Sequence, residues 1–157
     1  ASSEQFFSFL ENDDSDIYLL WTVNLSIPTD IQVERFIHAK RPESICIFLG
    51  PGATYFAKSL LGHPASVVVR GEPEDTVREL LRYISEGKDW RTIVGISFWD
   101  ENQVVENAPR PLIKNLDELP FPAIHFVEKF VFSNPKLKVS PYMAMVTSRN
   151  CPFHCIY

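Results

Sequence analysis

The order of apolar runs in the first ninety residues is the strongest constraint on what this chain can fold into. Ile17 to Val23 is a continuous apolar run of strand length, Ile45 to Leu49 is a second, and Ser66 to Arg70 is a third. Runs of this kind, without regular polar alternation, are the pattern of strands buried on both faces. Helical segments lie between them. Pro28-Thr29-Asp30 supplies a helix start with Thr29 or Asp30 as N-cap, and Ile31, Val33, Phe36 and Ile37 follow at helical spacing until Arg41-Pro42. A shorter helical stretch, Tyr55 to Leu61, separates the second and third runs. Thr76 to Ser85 places Val77, Leu80, Leu81 and Ile84 on one face, with Gly87 as its stop. At the front, Glu4 to Glu11 carries Phe6, Phe7, Phe9 and Leu10 and reads as the end of a helix, stopped by the acidic turn at 12–16. Strands alternating with helices predict an α/β fold with an open parallel sheet.

The pattern changes after residue 90. Thr92 to Trp99 and Gln103 to Asn107 flank Asp100-Glu101-Asn102, which predicts a β-hairpin over 92–107. From Pro109 to Pro141 the chain carries six prolines and little periodicity, the mark of an extended linker. Within it, Leu116, Leu119 and Phe121 are expected to pin the chain to a surface. Met143 to Thr147 is a last apolar strand. The expected organisation is an α/β domain over 1–108, a Pro-rich linker over 109–141, and a strand with its following loop over 142–157.

Charge and cysteine content narrow the function classes. A net charge of −5 supplies no basic footprint for nucleic acid or for anionic lipid. No run of apolar residues is long enough for a membrane span and no signal sequence opens the chain, so a cytoplasmic location is expected. The cysteines are Cys46, Cys151 and Cys155; an odd number, one inside an apolar run, points away from a disulfide framework. Cys46 reads as a small buried hydrophobe.

Cys151 and Cys155 stand three residues apart in the loop that follows the last strand. Thiolates are soft ligands for iron–sulfur clusters or zinc, and two of them leave a cubane cluster under-ligated. Two stray loop cysteines, or a zinc site adding His154, are alternatives at this level. The run Ser148-Arg149-Asn150-Cys151-Pro152-Phe153-His154-Cys155-Ile156-Tyr157 resembles the cluster motif of the radical-SAM superfamily, Cys-x3-Cys-x2-Cys, with Tyr157 at the aromatic position before the third cysteine. Asn150 stands where family members commonly have glycine. Two further segments resemble radical-SAM proteins that carry a cobalamin-binding domain. Val69-Arg70-Gly71-Glu72-Pro73-Glu74 is similar to their Arg-Gly-Glu-x-Glu segment, and Leu116-Asp117-Glu118-Leu119-Pro120-Phe121-Pro122-Ala123 to their linker. The hairpin over 93–107 falls between the two, as it does in that family.

The resemblance implies a Rossmann-like, cobalamin-binding-like (flavodoxin-like) sheet, followed by a radical-SAM domain of which only the first strand and cluster loop are present. It implies that Cys151 and Cys155 are [4Fe–4S] ligands, with the third cysteine falling just after Tyr157. Such a cluster binds S-adenosylmethionine and supplies radical chemistry for methyl transfer or cyclisation on a small-molecule substrate. On this reading the 157 residues alone are inactive. Gly50, Pro51, Gly52 and Thr54 are the candidate cobalamin contacts, because ligands of open α/β sheets lie beyond the strand ends. Related cobalamin domains have Gly-Gly-Pro here; this chain has Leu49-Gly50-Pro51. None of His38, His63, His125 or His154 has an aspartate two residues before it, so the Asp-x-His-x-x-Gly motif that supplies a lower axial ligand is absent. Read without the resemblance, Glu72 and Glu74 cap the helix that follows them. The glycine turn also fits a stand-alone flavodoxin-like module holding a corrinoid or nucleotide.

Overall fold

A computed structural model of the chain describes residues 2–126 together with Lys138 and Arg149. The predicted strand at 143–147 and both cysteines of the cluster motif lie outside these residues. The chain divides into two compact units, 1–114 and 115–157. The first unit is an open α/β sheet of the Rossmann-like kind. Its elements are α1 (Ser3–Asn12), β1 (Ile17–Trp21), α2 (Ile27–Lys40), β2 (Ile45–Leu49), α3 (Pro51–Tyr55), α4 (Ala57–Leu60), β3 (Ser66–Val69), α5 (Pro73–Ser85), β4 (Ile96–Asp100) and β5 (Gln103–Glu106). The strands lie in sequence order, β1-β2-β3-β4-β5. The first three are parallel, and β4 and β5 add an antiparallel hairpin.

Register explains the two cores. Cys46 pairs with Ser66 and Phe48 with Val68, so these side chains point to one face, where α1, α2 and α4 cover them with Leu10, Val33, Ile37 and Leu60. Ile47 pairs with Val67, and these point to the other face together with Val69, Ile96 and Phe98 under Leu80 of α5. Truncating a fully buried leucine such as Leu80 to alanine costs about 2–5 kcal/mol.

Several boundaries differ from the sequence expectation, each for a local reason. Helix α1 has its own start: the Ser2 side chain accepts from the Gln5 amide while Gln5 accepts from the Ser2 amide, a capping box. The N-cap of α2 is Ser26 rather than Thr29 or Asp30, with Pro28 in the first turn; the Ser26 hydroxyl donates to Asp30 at 2.7 Å. Helical structure follows β2 immediately at Pro51, earlier than the predicted Tyr55. Helix α5 begins at Pro73 because proline suits the first helical position. In the hairpin, the first strand begins at Ile96 rather than Thr92, which instead closes a 3-10 turn, Trp90–Thr92. The two turn residues, Glu101 and Asn102, have φ of 40° and 70°, the left-handed pair that a tight hairpin requires.

The largest difference concerns β1. It occupies the sheet edge, and Leu19 and Trp21 are 53% and 62% exposed, so the strand is not buried on both faces. The α5-side core centres on β2, β3 and β4 and reaches β1 only at Ile17, which leaves Leu19 and Trp21 on the same face open. An apolar run reports that a strand is hydrophobic, not how many neighbours it has.

In the second unit, Leu116–Glu118 and Ile124–Phe126 are single 3-10 turns in otherwise irregular chain. Of the expected apolar pins, Phe121 is 98% exposed, Leu116 lies at the surface and Leu119 is half-buried.

Candidate functional site

The carboxyl ends of β1, β2 and β3 form a rim from which the predicted cofactor residues project. Gly50, with φ of 101°, turns the chain sharply out of β2. A Cβ at Gly50 would lie 2.9 Å from the Thr22 carbonyl oxygen and 3.2 Å from the Trp21 ring; one at Gly52 would lie 2.8 Å from the Val23 carbonyl carbon. Both glycines are therefore demanded by close approach to the chain leaving β1. The Gly52 amide donates to the Thr22 carbonyl at 2.9 Å, and the Thr22 amide donates to the Leu49 carbonyl at 2.7 Å. Thr54 donates its hydroxyl to the Gly50 carbonyl at 3.1 Å and accepts from the Gly71 amide at 3.0 Å, tying the turn after β2 to the turn after β3. The four residues named from the sequence are thus brought together, and each of Gly50, Gly52 and Thr54 has a defined intramolecular partner.

The Arg-Gly-Glu segment continues the same rim. Arg70 donates to the carbonyls of Ile96 and Asn107 and so fastens the hairpin exit. Glu72 is the N-cap residue of α5, yet its side chain makes no capping bond to that helix. It accepts instead from the Ile113 amide at 2.6 Å. Arg110, in the same strap of residues 107–113 that follows β5, pairs with Glu79 of α5. Glu74 lies inside the first helical turn, where its charge favours the helix dipole. The capping role expected for Glu72 is replaced by a clamp on residues 107–113, which the motif's adjacency to the strap in space, invisible in sequence, explains.

A second constellation lies at the opposite end of the sheet and was not singled out from the sequence. Ser66, the first residue of β3, is fully buried and donates to Glu34 at 2.7 Å. His38 Nε2 is 3.2 Å from the same hydroxyl oxygen and 3.7 Å from the Glu34 carboxylate. The His63 ring stacks on His38 with centroids 3.7 Å apart, while its Nδ1 accepts from the Ala65 amide. Burial, and then the neighbouring His63, push the His38 pKa down to about 4, so the ring is neutral at pH 7. A cavity of about 360 Å³ opens beside Glu34, His38, Ser59 and His63. The available signal was a Glu–His pair four residues apart on the apolar face of α2. Cys46 is fully buried nearby, its thiol held protonated by burial with a pKa of about 12, in keeping with the expected hydrophobic role. Among the described residues no group of three or more His, Cys, Asp or Glu is arranged to hold a metal ion. Cys151, His154 and Cys155 lie outside the described residues. No helix among the described residues is long and apolar enough to cross a membrane.

Fold and rim together define an open α/β protein with a stapled carboxyl-end edge. No protein-family model matches the chain. It is 38% identical to an uncharacterized methyltransferase of Pyrococcus horikoshii over 57% of this chain and 19% of that protein. It is 27% identical to the anaerobic magnesium-protoporphyrin IX monomethyl ester cyclase of Synechocystis, over 83% of this chain and 26% of the cyclase. It is 27% identical to the cytidylyl-2-hydroxyethylphosphonate methyltransferase of Streptomyces wedmorensis, over 74% of this chain and 27% of that enzyme. The chain is therefore related, at moderate identity, to enzymes named as methyltransferases and a cyclase. It spans between 19% and 27% of the length of these relatives.

Proposed function

We propose that the chain is part of a radical-SAM enzyme of the cobalamin-domain type, acting in methyl transfer or ring cyclisation on a small-molecule substrate. The observation that carries this reading is the similarity to the Synechocystis cyclase across 83% of the chain. The ordered segments Arg70-Gly71-Glu72, Leu116 to Ala123 and Cys151 to Cys155 support it. On this reading Cys151 and Cys155 supply two of the three thiolates of a [4Fe–4S] cluster, and the iron without a thiolate binds S-adenosylmethionine. Cluster and S-adenosylmethionine supply the one-electron chemistry; the protein orients them and excludes water. The described residues contribute an α/β domain and a clamped strap. The 157 residues by themselves are inactive, and the enzyme is cytoplasmic.

The test is anaerobic reconstitution of the full gene product with iron and sulfide. About four irons per chain, a cluster signal in electron paramagnetic resonance after reduction, and loss of both in Cys151→Ala and Cys155→Ala are expected. Stoichiometric zinc that disappears in His154→Ala would replace this reading with a zinc site. Iron retained in full by both cysteine variants would remove these residues from the cluster.

A further inference from the structure

We infer that the glycine turn at the rim of this α/β domain is closed on its β1 side by the chain itself, with Trp21 and the Thr22 carbonyl occupying the approach to it. A corrinoid or a phosphate-bearing tail is therefore not taken at Gly50–Thr54. This goes beyond the proposed function and rests on it only in regarding the sheet as cobalamin-binding-like.

Three observations combine. The first is space. Glycines cradle a ligand when the volume a Cβ would fill is left for that ligand, but here it is filled from within. A Cβ at Gly50 would lie 2.9 Å from the Thr22 carbonyl oxygen and 3.2 Å from the Trp21 ring, and one at Gly52 would lie 2.8 to 3.1 Å from the Thr22–Val23 backbone. The second is donors. A phosphate at a turn-to-helix junction is held by free backbone amides. Pro51 has no N–H, the Gly52 amide donates to the Thr22 carbonyl, and the Thr54 amide donates to the Gly50 carbonyl. Three of the first four positions of α3 thus offer an anion nothing. The Thr54 hydroxyl is engaged on both sides, with Gly50 and with Gly71.

The third is Leu49, where the related domains have the first glycine of Gly-Gly-Pro. Its side chain packs against the α5-side core, so this position serves the interior of the sheet and not its edge. The histidines of this unit lie elsewhere: His38 sits beside Ser66, at the amino end of β3, with His63 stacked on it. The residues of the glycine turn therefore do not fit the cobalamin that the family resemblance implies there. Their partners make the rim a structural staple joining β1, β2 and β3.

The experiment is a titration of the isotopically labelled 157-residue chain with hydroxocobalamin and, separately, with inorganic pyrophosphate. Amide resonances of Gly50, Gly52 and Gly71 are followed, together with corrinoid retained after gel filtration. The expected result is no saturable shift at these glycines with either probe, and protection of the Gly52 and Gly71 amides from hydrogen exchange in the free protein. Trp21→Ala should speed Gly52 exchange by about tenfold, as a local opening becomes easier. Saturable shifts at Gly50 and Gly52, or unprotected Gly52 and Gly71 amides, would overturn the closed rim. Unchanged Gly52 exchange in Trp21→Ala would remove Trp21 from it. Corrinoid retained without shifts at the glycines would place the cofactor elsewhere, leaving the closed rim intact. Failure of cluster reconstitution would leave all these readouts unaffected, so the two readings fail separately.

Discussion

The two ends of the parallel sheet are held by different kinds of interaction. At the carboxyl end, loops are joined through backbone contacts and single hydrogen bonds: Gly52 to Thr22, Gly71 to Thr54, Arg70 to Asn107, and Glu72 to Ile113. At the amino end of β3 the ties run between buried side chains, Glu34, Ser66 and His38, away from water. The first arrangement depends on steric clearance and tolerates solvent. The second depends on protonation state, because a charge introduced among desolvated groups has no water to stabilise it. Substitution should therefore break one end and acid should break the other.

The largest effect is expected at the rim. Gly52→Ala places a methyl 2.8 Å from backbone at Val23, where no flexible side-chain end can yield, so β1 and α3 must separate. A loss of about 3 kcal/mol in urea unfolding, with an unchanged slope, is the expected outcome. Gly62 is the control, since a Cβ there meets nothing within 4 Å. Gly62→Ala should change stability by less than about 0.5 kcal/mol. Equal costs at the two glycines would mean that the rim is not closed by contact.

The amino end should respond to pH. The folded pKa of His38 is depressed to about 4 from an ordinary value of 6.5. Above pH 6.5 the ring is neutral in both states and the protein keeps its full stability. As the pH falls through 6.5 toward 4, the unfolded chain binds a proton that the folded chain refuses, so stability declines and then levels off. Unfolding free energy should drop by about 2 kcal/mol over that window, and His38→Gln should flatten the drop. A decline of the same size in His38→Gln would assign the acid sensitivity to other groups. The rim variants should leave this pH dependence unchanged.

How much of this was legible beforehand depended on whether the signal was local. The strand–helix alternation from Ile17 to Ser85 and the hairpin at Asp100 to Asn102 are written in consecutive residues, and the sheet follows them. The start of α2 was missed because Ser26 acts through Asp30, and proline two residues later hides the cap. The edge position of β1 was not legible, since Ile17 to Trp21 would read the same in a central strand. Gly50 and Gly52 were noticed, but their partner is the chain after β1, some 28 to 30 residues earlier. Glu34 and His38 broke an apolar helix face in plain view; what the sequence lacked was Ser66, which becomes their neighbour only when β3 is laid beside β2.

The smallest effect concerns the strap, and it separates charge from hydrogen bonding at the rim. Glu72 reaches across to the Ile113 amide instead of capping α5. Glu72→Gln keeps an acceptor oxygen but removes the charge, and should cost about 0.5–1 kcal/mol, the difference between a charge-assisted and a neutral bond. Glu72→Ala removes the acceptor and should free the Ile113 amide to water, at little more global cost because the strap can be solvated. The informative readout is therefore local. Proteolysis between 108 and 114 should quicken in Glu72→Ala and much less in Glu72→Gln, while unfolding midpoints differ only slightly. If both variants are cut as slowly as the parent chain, Arg110 with Glu79 and Arg70 with Asn107 suffice to hold the strap. In that case the glutamate of the Arg-Gly-Glu segment has no clamping role, and the carboxyl-end rim stops at Arg70.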